Sequence, residues 1–489
     1  MLIALLLIPF IAALSSWFIP ADLPRRIVLV GVAAVELLLA LSTWVYTPAP
    51  FAGEILMLDS MGRLVLTLTC ILFFAASIYG VGYLKAEERG KRTDFVQGLH
   101  FSNAPEATFT ACLLLFLSVA VLVATTCHFG VLWIGIESTT LVSAPLIYFH
   151  RHQRSLEATW KYLLICSVGI ALALVGNLLL DISMQSDAGH GTRMTLSTLV
   201  AAAPGVHPAW FKAAFVFLLI GYGTKMGAAP MHTWLPDAHS EAPSMVSALL
   251  SGALLNCAFL GIYRVTQISA AAQMTDFSSP LLMAFGFFSL ITAALFIVGL
   301  GDFKRMLAYS SVEHMGILLL ALGVGFEAAR GGVLHMASHS MIKAALFLLA
   351  GNILAKYHTK SSHDVTGLRR TMPVTALLWM TGILAICGMP PFSLFMSELS
   401  VLQGLLHYGL IPAMAYLFLL GVVFIGMVTP ALRMCGGRPP HGIAPSVWES
   451  SFLTLPPALL LALVLVLGLY MPDWVNKVLQ DAAAAAIGQ

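Results

Sequence analysis

Residues 221–252 read GYGTKMGAAPMHTWLPDAHSEAPSMVSALLSG, and the rest of the chain takes its meaning from them. An apolar helix carries Lys225 and is interrupted five residues later at Pro230. A polar loop with His232, Asp237, His239 and Glu241 follows, and a second apolar helix opens near Pro243. Proline removes a backbone donor and clashes with the preceding turn. A charge at the centre of a bilayer costs about 2.5–3.5 kcal/mol on insertion scales. A lysine beside a helix break in such apolar surroundings therefore reads as a proton-carrying station.

The surroundings are apolar throughout. Of 489 residues, 59% are hydrophobic and 10% charged, with a mean hydropathy of +0.90. That composition specifies a polytopic membrane protein lying in a lipid bilayer. A net charge of +2 offers no basic patch for nucleic acid. The seven cysteines are scattered without a CxxC, so neither an iron–sulfur cluster nor a zinc site is expected. Gly323-x-Gly325 follows a membrane helix rather than a strand and is no dinucleotide loop. The first apolar run has no basic residues before it and reads as a retained span.

Windows of about 20 apolar residues give an all-α fold of fourteen spans, near 2–20, 26–46, 61–84, 107–127, 129–149, 158–181, 208–229, 243–267, 278–300, 305–325, 331–355, 372–397, 408–432 and 452–471. Putting the N-terminus outside leaves sixteen of the 25 basic residues in cytoplasmic loops, Arg89, Lys91, Arg92 and Lys304 among them. Both termini then lie on the outer side of the inner, cytoplasmic membrane.

Two spans are interrupted, the seventh at Pro230 and the twelfth at Pro390-Pro391, just before Glu398. Broken spans mark hydrated sites near the midplane. Trp133-x-x-x-Glu137 in the fifth span answers Tyr309-x-x-x-Glu313 in the tenth, and Lys161, eight residues before Gly169, answers Lys343, eight before Gly351. Spans 4–8 and 9–13 thus form two five-helix units, and the odd number inverts one against the other. The expected divisions are peripheral helices in 1–106, first repeat 107–267, second repeat 278–432, and last helix and tail 452–489. Aligning Pro230 with Pro391 pairs Glu398 with Asp237.

Glu137, Lys161, Lys225, Glu313, Lys343 and Glu398 are the charges inside spans, with Glu36 an isolated seventh. His335, His339 and Lys343 recur every four residues on one helix face, and with Glu313 and His314 they form a polar stripe. The stripe reads as a proton wire. Burial disfavours a charged lysine and a nearby carboxylate restores it, so an ion pair that opens and closes switches the lysine between holding and releasing a proton.

The run Gly223–Ser244, with Ile136-Glu137-Ser-Thr-Thr-Leu, Ser155-Leu-Glu-Ala-Thr-Trp-Lys161-Tyr, Leu254-Leu-Asn256-Cys, Lys304-Arg-Met-Leu-Ala-Tyr-Ser-Ser-Val-Glu313 and Gly388-Met-Pro-Pro-Phe, resembles the antiporter-like subunits of respiratory complex I, Mrp-type antiporters and membrane-bound hydrogenases. It is most similar to the hydrogenase-4 component F family of formate-hydrogenlyase-type complexes. The resemblance covers roughly residues 55–435. It implies that Glu137 and Lys225 form the charge pair of a first half-channel. Lys343 and the histidines would make the central link, and Glu398 would end a second half-channel. It also implies partner membrane subunits, a peripheral hydrogenase or other redox arm, and no redox site or cofactor in this chain. Asn256 stands where related chains carry a lysine or histidine, so passage from Lys225 to Lys343 needs water or His232. The chain stops eighteen residues after the last expected span, with no sign of a long lateral helix.

Other readings compete. One is an Mrp-type sodium/proton antiporter module, and another a complex I membrane-arm subunit. His128, His150, His335 and His339 as axial ligands make it a haem- or quinone-binding electron carrier. An inactive channel makes it a scaffold. His232, Asp237, His239 and Glu241 within one loop offer a metal site.

Overall fold

The computed structural model describes residues 1–87, 91–93, 98, 100–184, 193–444 and 449–488; Arg89 and the side chains of Lys91 and Arg92 lie outside the described residues. Helices α1 (Leu2–Ser16), α2 (Asp22–Ser42) and α3 (Ser60–Ala86) precede a two-stranded antiparallel ribbon of β1 (Lys91–Thr93) and β2 (His100–Ser102). The first five-helix unit begins with α4 (Glu106–Thr125), α5 (Phe129–Ile147) and α6 (Gln153–Met184). After a short α7 (Leu196–Ala202) comes a broken helix, α8 (Pro208–Met226) and α9 (Trp234–Glu241). The unit closes with α10 (Ser244–Leu249) and α11 (Leu255–Ala271), joined by a π turn at Leu250–Leu254.

The second unit repeats the plan: α12 (Thr275–Ile297), α13 (Phe303–Val324), α14 (Phe326–Tyr357), a short α15 (Leu368–Thr371), broken α16 (Pro373–Ile386) and α17 (Ser393–Tyr408), then α18 (Leu410–Cys435). α6 and α14 each have 32 residues and stand third in their units. α19 (Ser451–Leu469) and α20 (Asp473–Ile487) complete the described chain. Among the described residues, ten helices are long and apolar enough to cross a membrane, counting α10–α11 as one. The other four expected spans are α1, with 15 residues, α2, which carries four charged residues, and the two broken helices.

Both breaks have the same local cause. Gly227 (φ +81°) and Gly388 (φ +67°) adopt the left-handed conformation that ends a helix. Three residues after each glycine stands a cis proline, Pro230 and Pro391. The expected polar loop after Pro230 is corrected here: residues 234–241 form α9, with buried Trp234 donating Nε1–H to Thr224 O at 2.9 Å. The twelfth span also continues past its expected end at residue 397 to Tyr408, which places Glu398 inside α17.

α10–α11 and α14 are buried along their whole apolar windows and form the centre of the bundle. Hydrophobicity does not drive helices together in lipid, so close packing must. Gly252 supplies it, because a Cβ there would meet Leu72 Cδ1 at 2.6 Å and the Ser340 carbonyl at 3.0 Å. The tail read only as a tail is α20, which packs on α14 and α11. Tyr263 OH donates to Ala482 O at 2.6 Å, and Arg330 Nη1 to Asn476 Oδ1 at 3.1 Å.

Two further expectations are corrected. Lys304, assigned to a loop, is buried in the first turn of α13 and donates to Ala242 O at 2.7 Å. Lys161, assigned to a span interior, has a side chain 45% exposed and lies between Glu157 and Asp237. It is the ninth residue of α6, whereas Lys343 is the eighteenth of α14, so the two do not occupy equivalent places.

Candidate functional site

In the first unit, Lys225 ends α8 in full burial, one residue before the helix gives out. Its ammonium donates to Thr140 Oγ1 and to Tyr162 OH, both at 2.7 Å. Thr140 in turn donates to Glu137 Oε2 at 3.3 Å, and Ser167 donates to Glu137 Oε1 at 2.9 Å. Lys225 and Glu137 are therefore joined through a hydroxyl. Every donor in the chain points from the cation toward the carboxylate, so a shift of two protons carries one charge from lysine to glutamate. Tyr162 OH also meets Ser143 Oγ at 2.6 Å, which fixes the far side of the ammonium.

The second unit repeats the lysine-to-hydroxyl contact. Lys343, fully buried at the middle of α14, donates to Ser310 Oγ at 2.7 Å and to the Leu307 carbonyl. Ser310 lies three residues before Glu313, as Thr140 lies three residues after Glu137. In both units a hydroxyl one helical turn from a membrane glutamate holds the lysine.

Beyond Lys343 the stripe continues as a row of rings. His339 and His314 have centroids 5.0 Å apart, and His314 Nδ1 lies 3.0 Å from His335 Nε2. His335 Nδ1 lies 3.0 Å from Ser397 Oγ on α17. Ser397 spends its own proton on the Leu394 carbonyl at 2.6 Å, so its oxygen accepts from His335 Nδ1–H. That assigns the neutral tautomers: His335 Nε2 accepts and His314 Nδ1–H donates. Glu398, next to Ser397, brings a carboxylate oxygen within 4.8 Å of one ring nitrogen of each of His314 and His335. It borders a cavity of about 260 Å³ lined also by Cys387, Gly388 and Tyr416. A Cβ at Gly388 would overlap the Glu398 carboxylate in its present position.

Between the units, Asn256 donates to Ser340 Oγ and to Gly252 O, both at 2.7 Å, beside the π turn. Such turns cluster at functional positions, and no proline or charge announced this one. The break residue His232 lies over Tyr309 of α13 with centroids 6.0 Å apart. His239, fully buried, stacks on Phe347 of α14 at 5.0 Å and 15°, one turn past Lys343. Tyr162, Thr140, Ser310 and Ser397 are polar contacts that the search for charges passed over. Hydroxyl groups at i±3 from Glu137 and Glu313 were the available signal.

The loop quartet does not converge. Asp237 pairs with Lys161 (2.9 Å) and Arg305 (2.7 Å), Glu241 pairs with Lys360 (2.9 Å), and His239 stacks on Phe347. His128 caps the start of α5, and His150 lies beyond its other end against Asn103. A 19-residue helix separates them by roughly 28 Å. Glu36 is buried on α2 with neither oxygen hydrogen-bonded.

The family described as NADH:quinone oxidoreductase/Mrp antiporter, TM matches residues 127–425. The chain is 37% identical over 359 residues to the Hydrogenase-4 component F homolog of Methylacidiphilum infernorum, covering 73% of this chain and 74% of that protein. It is 30% identical over 381 residues to Hydrogenase-4 component B of Escherichia coli, covering 75% of this chain and 53% of that protein, so it spans about half of the longer relative. Among solved structures, the membrane-bound sulfane sulfur reductase, an archaeal respiratory membrane complex, contains a chain of the same fold, with a TM-score of 0.85, 21% identity, and coverage of 99% of this chain and 97% of that one.

Proposed function

This chain belongs to the NADH:quinone oxidoreductase/Mrp antiporter membrane family, and on that footing we propose that it translocates protons as the antiporter-like subunit of a membrane-bound [NiFe]-hydrogenase complex of the formate-hydrogenlyase type. Electron transfer in a peripheral arm drives the movement. The likeness to a hydrogenase-4 component F homolog supports that assignment. The complex lies in the inner membrane with both termini outside. The exposed apolar face of α6, with Trp160, Leu164, Val168 and Leu178, is suited to a neighbouring membrane subunit or lipid.

The observation that carries the proposal is the paired arrangement of a buried lysine, a hydroxyl and a glutamate in two inverted units. Glu137, Thr140 and Lys225 make the first half-channel, with Lys161 and Asp237 at its surface. Lys343, Ser310 and Glu313 lead through His339, His314 and His335 to Glu398 in the second. A buried lysine next to a hydroxyl can release its proton without leaving a bare charge pair in a low-dielectric interior. His232 and His239, both on the broken seventh span, face the second unit and supply the bridge that Asn256 cannot.

The test is proton flux in proteoliposomes holding the intact complex, followed with a pH-sensitive dye with and without sodium. Lys225→Met and Lys343→Met each abolish coupled flux while assembly persists. Unchanged flux makes the chain a scaffold, and flux that requires sodium makes it a sodium/proton antiporter.

A further inference from the structure

We propose that His314, His335 and Glu398 form a binding site for a divalent transition-metal ion of the zinc class, and that an ion held there stops proton exchange along the histidine row. The second half rests on the proton-translocating reading above; the metal site does not.

The three ligand atoms come from three helices, α13, α14 and α17, and lie within 4.8 Å of one another in a buried location. Zinc binds imidazole nitrogen and carboxylate oxygen at about 2.0–2.2 Å, which puts two nitrogens on one tetrahedral ion roughly 3.3 Å apart. His314 Nδ1 and His335 Nε2 are 3.0 Å apart already. Two imidazoles and one carboxylate suit zinc, whereas calcium and magnesium need six or more oxygens.

A second observation points the same way. Metal-binding histidines commonly donate their other N–H to an oxygen that fixes ring and tautomer. His335 does so through Nδ1–H to Ser397 Oγ, leaving the Nε2 lone pair aimed at His314. His314 Nε2 has no hydrogen-bond partner. Moving the His314 proton from Nδ1 to Nε2 turns both facing nitrogens into donors to a metal. The proton that the two rings now share is then gone from between them, which is how the ion blocks the row.

Charge and access are also met. Glu313, adjacent to His314, adds a second carboxylate in electrostatic contact with Glu398. Lys343 is about 12 Å along α14 from His335, but it is in electrostatic contact with Glu313 and His314, so Glu398 is the acid left to balance the ion. The cavity of about 260 Å³ beside Glu398 has space for a partly hydrated ion.

The experiment uses the intact complex in nanodiscs with Co²⁺ as the probe, read by its d–d absorption, and Zn²⁺ as competitor, counted by elemental analysis. One ion per chain is expected. Glu398→Gln and His335→Gln should weaken binding at least tenfold, and Ser397→Ala about tenfold, with His407→Gln unchanged. Unaltered cobalt binding in the first two variants, or no binding above background in the wild type, overturns the proposal. Where a variant fails to insert, the wild-type protein decides. A hydrophobic carbodiimide labels Glu398, read by mass spectrometry, and Zn²⁺ slows labelling at least tenfold; labelling unaffected by zinc refutes the site. Metal-free complex without proton flux removes the inhibitory role and leaves the binding result standing.

Discussion

Lys225 and Glu137 share one hydroxyl: Thr140 Oγ1 lies 2.7 Å from the ammonium and 3.3 Å from the carboxylate. Leaving a charged donor without its acceptor costs about 1.5–3 kcal/mol, or roughly 10- to 100-fold in rate if the cost falls on the transfer step. Thr140→Val should lower proton flux in proteoliposomes by at least tenfold, and Thr140→Ser should restore most of it. Equal flux in the two variants would mean that the hydroxyl is not in the path.

Gly388 governs the other end. It combines a positive φ with a position where any Cβ overlaps the Glu398 carboxylate. Gly388→Ala therefore displaces the carboxyl and adds about 1–3 kcal/mol of backbone strain. We expect a complex that assembles with a lowered Tm and lacks flux. A wild-type flux would show that Glu398 can sit elsewhere.

The two acids on α9 should behave differently. Asp237 is held by Lys161 and Arg305, both more than two-fifths exposed. Water screens such pairs, so Asp237→Asn should cost only about 0.2–1 kcal/mol. Glu241 is buried against Lys360, and Glu241→Gln removes a paired buried charge at a cost of ~3 kcal/mol. Thermal denaturation in detergent should rank Glu241→Gln well below Asp237→Asn, and the reverse order would contradict the burial argument.

Gly252 tests the packing of the centre. A methyl group there meets Leu72 and a backbone carbonyl of α14 that cannot move aside. Overpacking costs about 1–3 kcal/mol, so Gly252→Ala should lower the Tm measurably, whereas Gly421→Ala, with open space around it, should not.

Much of this was legible in the sequence. Long apolar runs locate the spans because lipid forces every backbone group to bond within its own helix. Gly–x–x–Pro at both breaks, and lysines and glutamates in apolar runs, mark the units. What was not legible depends on neighbours distant in sequence. Lys161 looks buried from its own helix, yet its side chain is nearly half exposed and reaches Glu157 and Asp237 of α9. Lys304 looks like a loop cation and is buried because Ala242 offers it a carbonyl. The direct Glu137–Lys225 pair that the family resemblance implies becomes a hydroxyl relay, because side-chain reach across helices is set by rotation about their axes. The π turn beside Asn256 has no local signature at all.

The matched lengths of α6 and α14 have a consequence for lipid dependence. At 1.5 Å per residue, 32 residues extend about 48 Å, beyond the ~30 Å hydrocarbon layer. α14 is shielded along its whole apolar window, so bilayer thickness exerts no direct force on it. α6 is open on one side and must answer mismatch by tilting. It also carries Ser167 and Tyr162, which hold Glu137 and Lys225. Acyl-chain length in reconstituted vesicles therefore acts through α6 on the residues that hold Glu137 and Lys225, and not directly through α14.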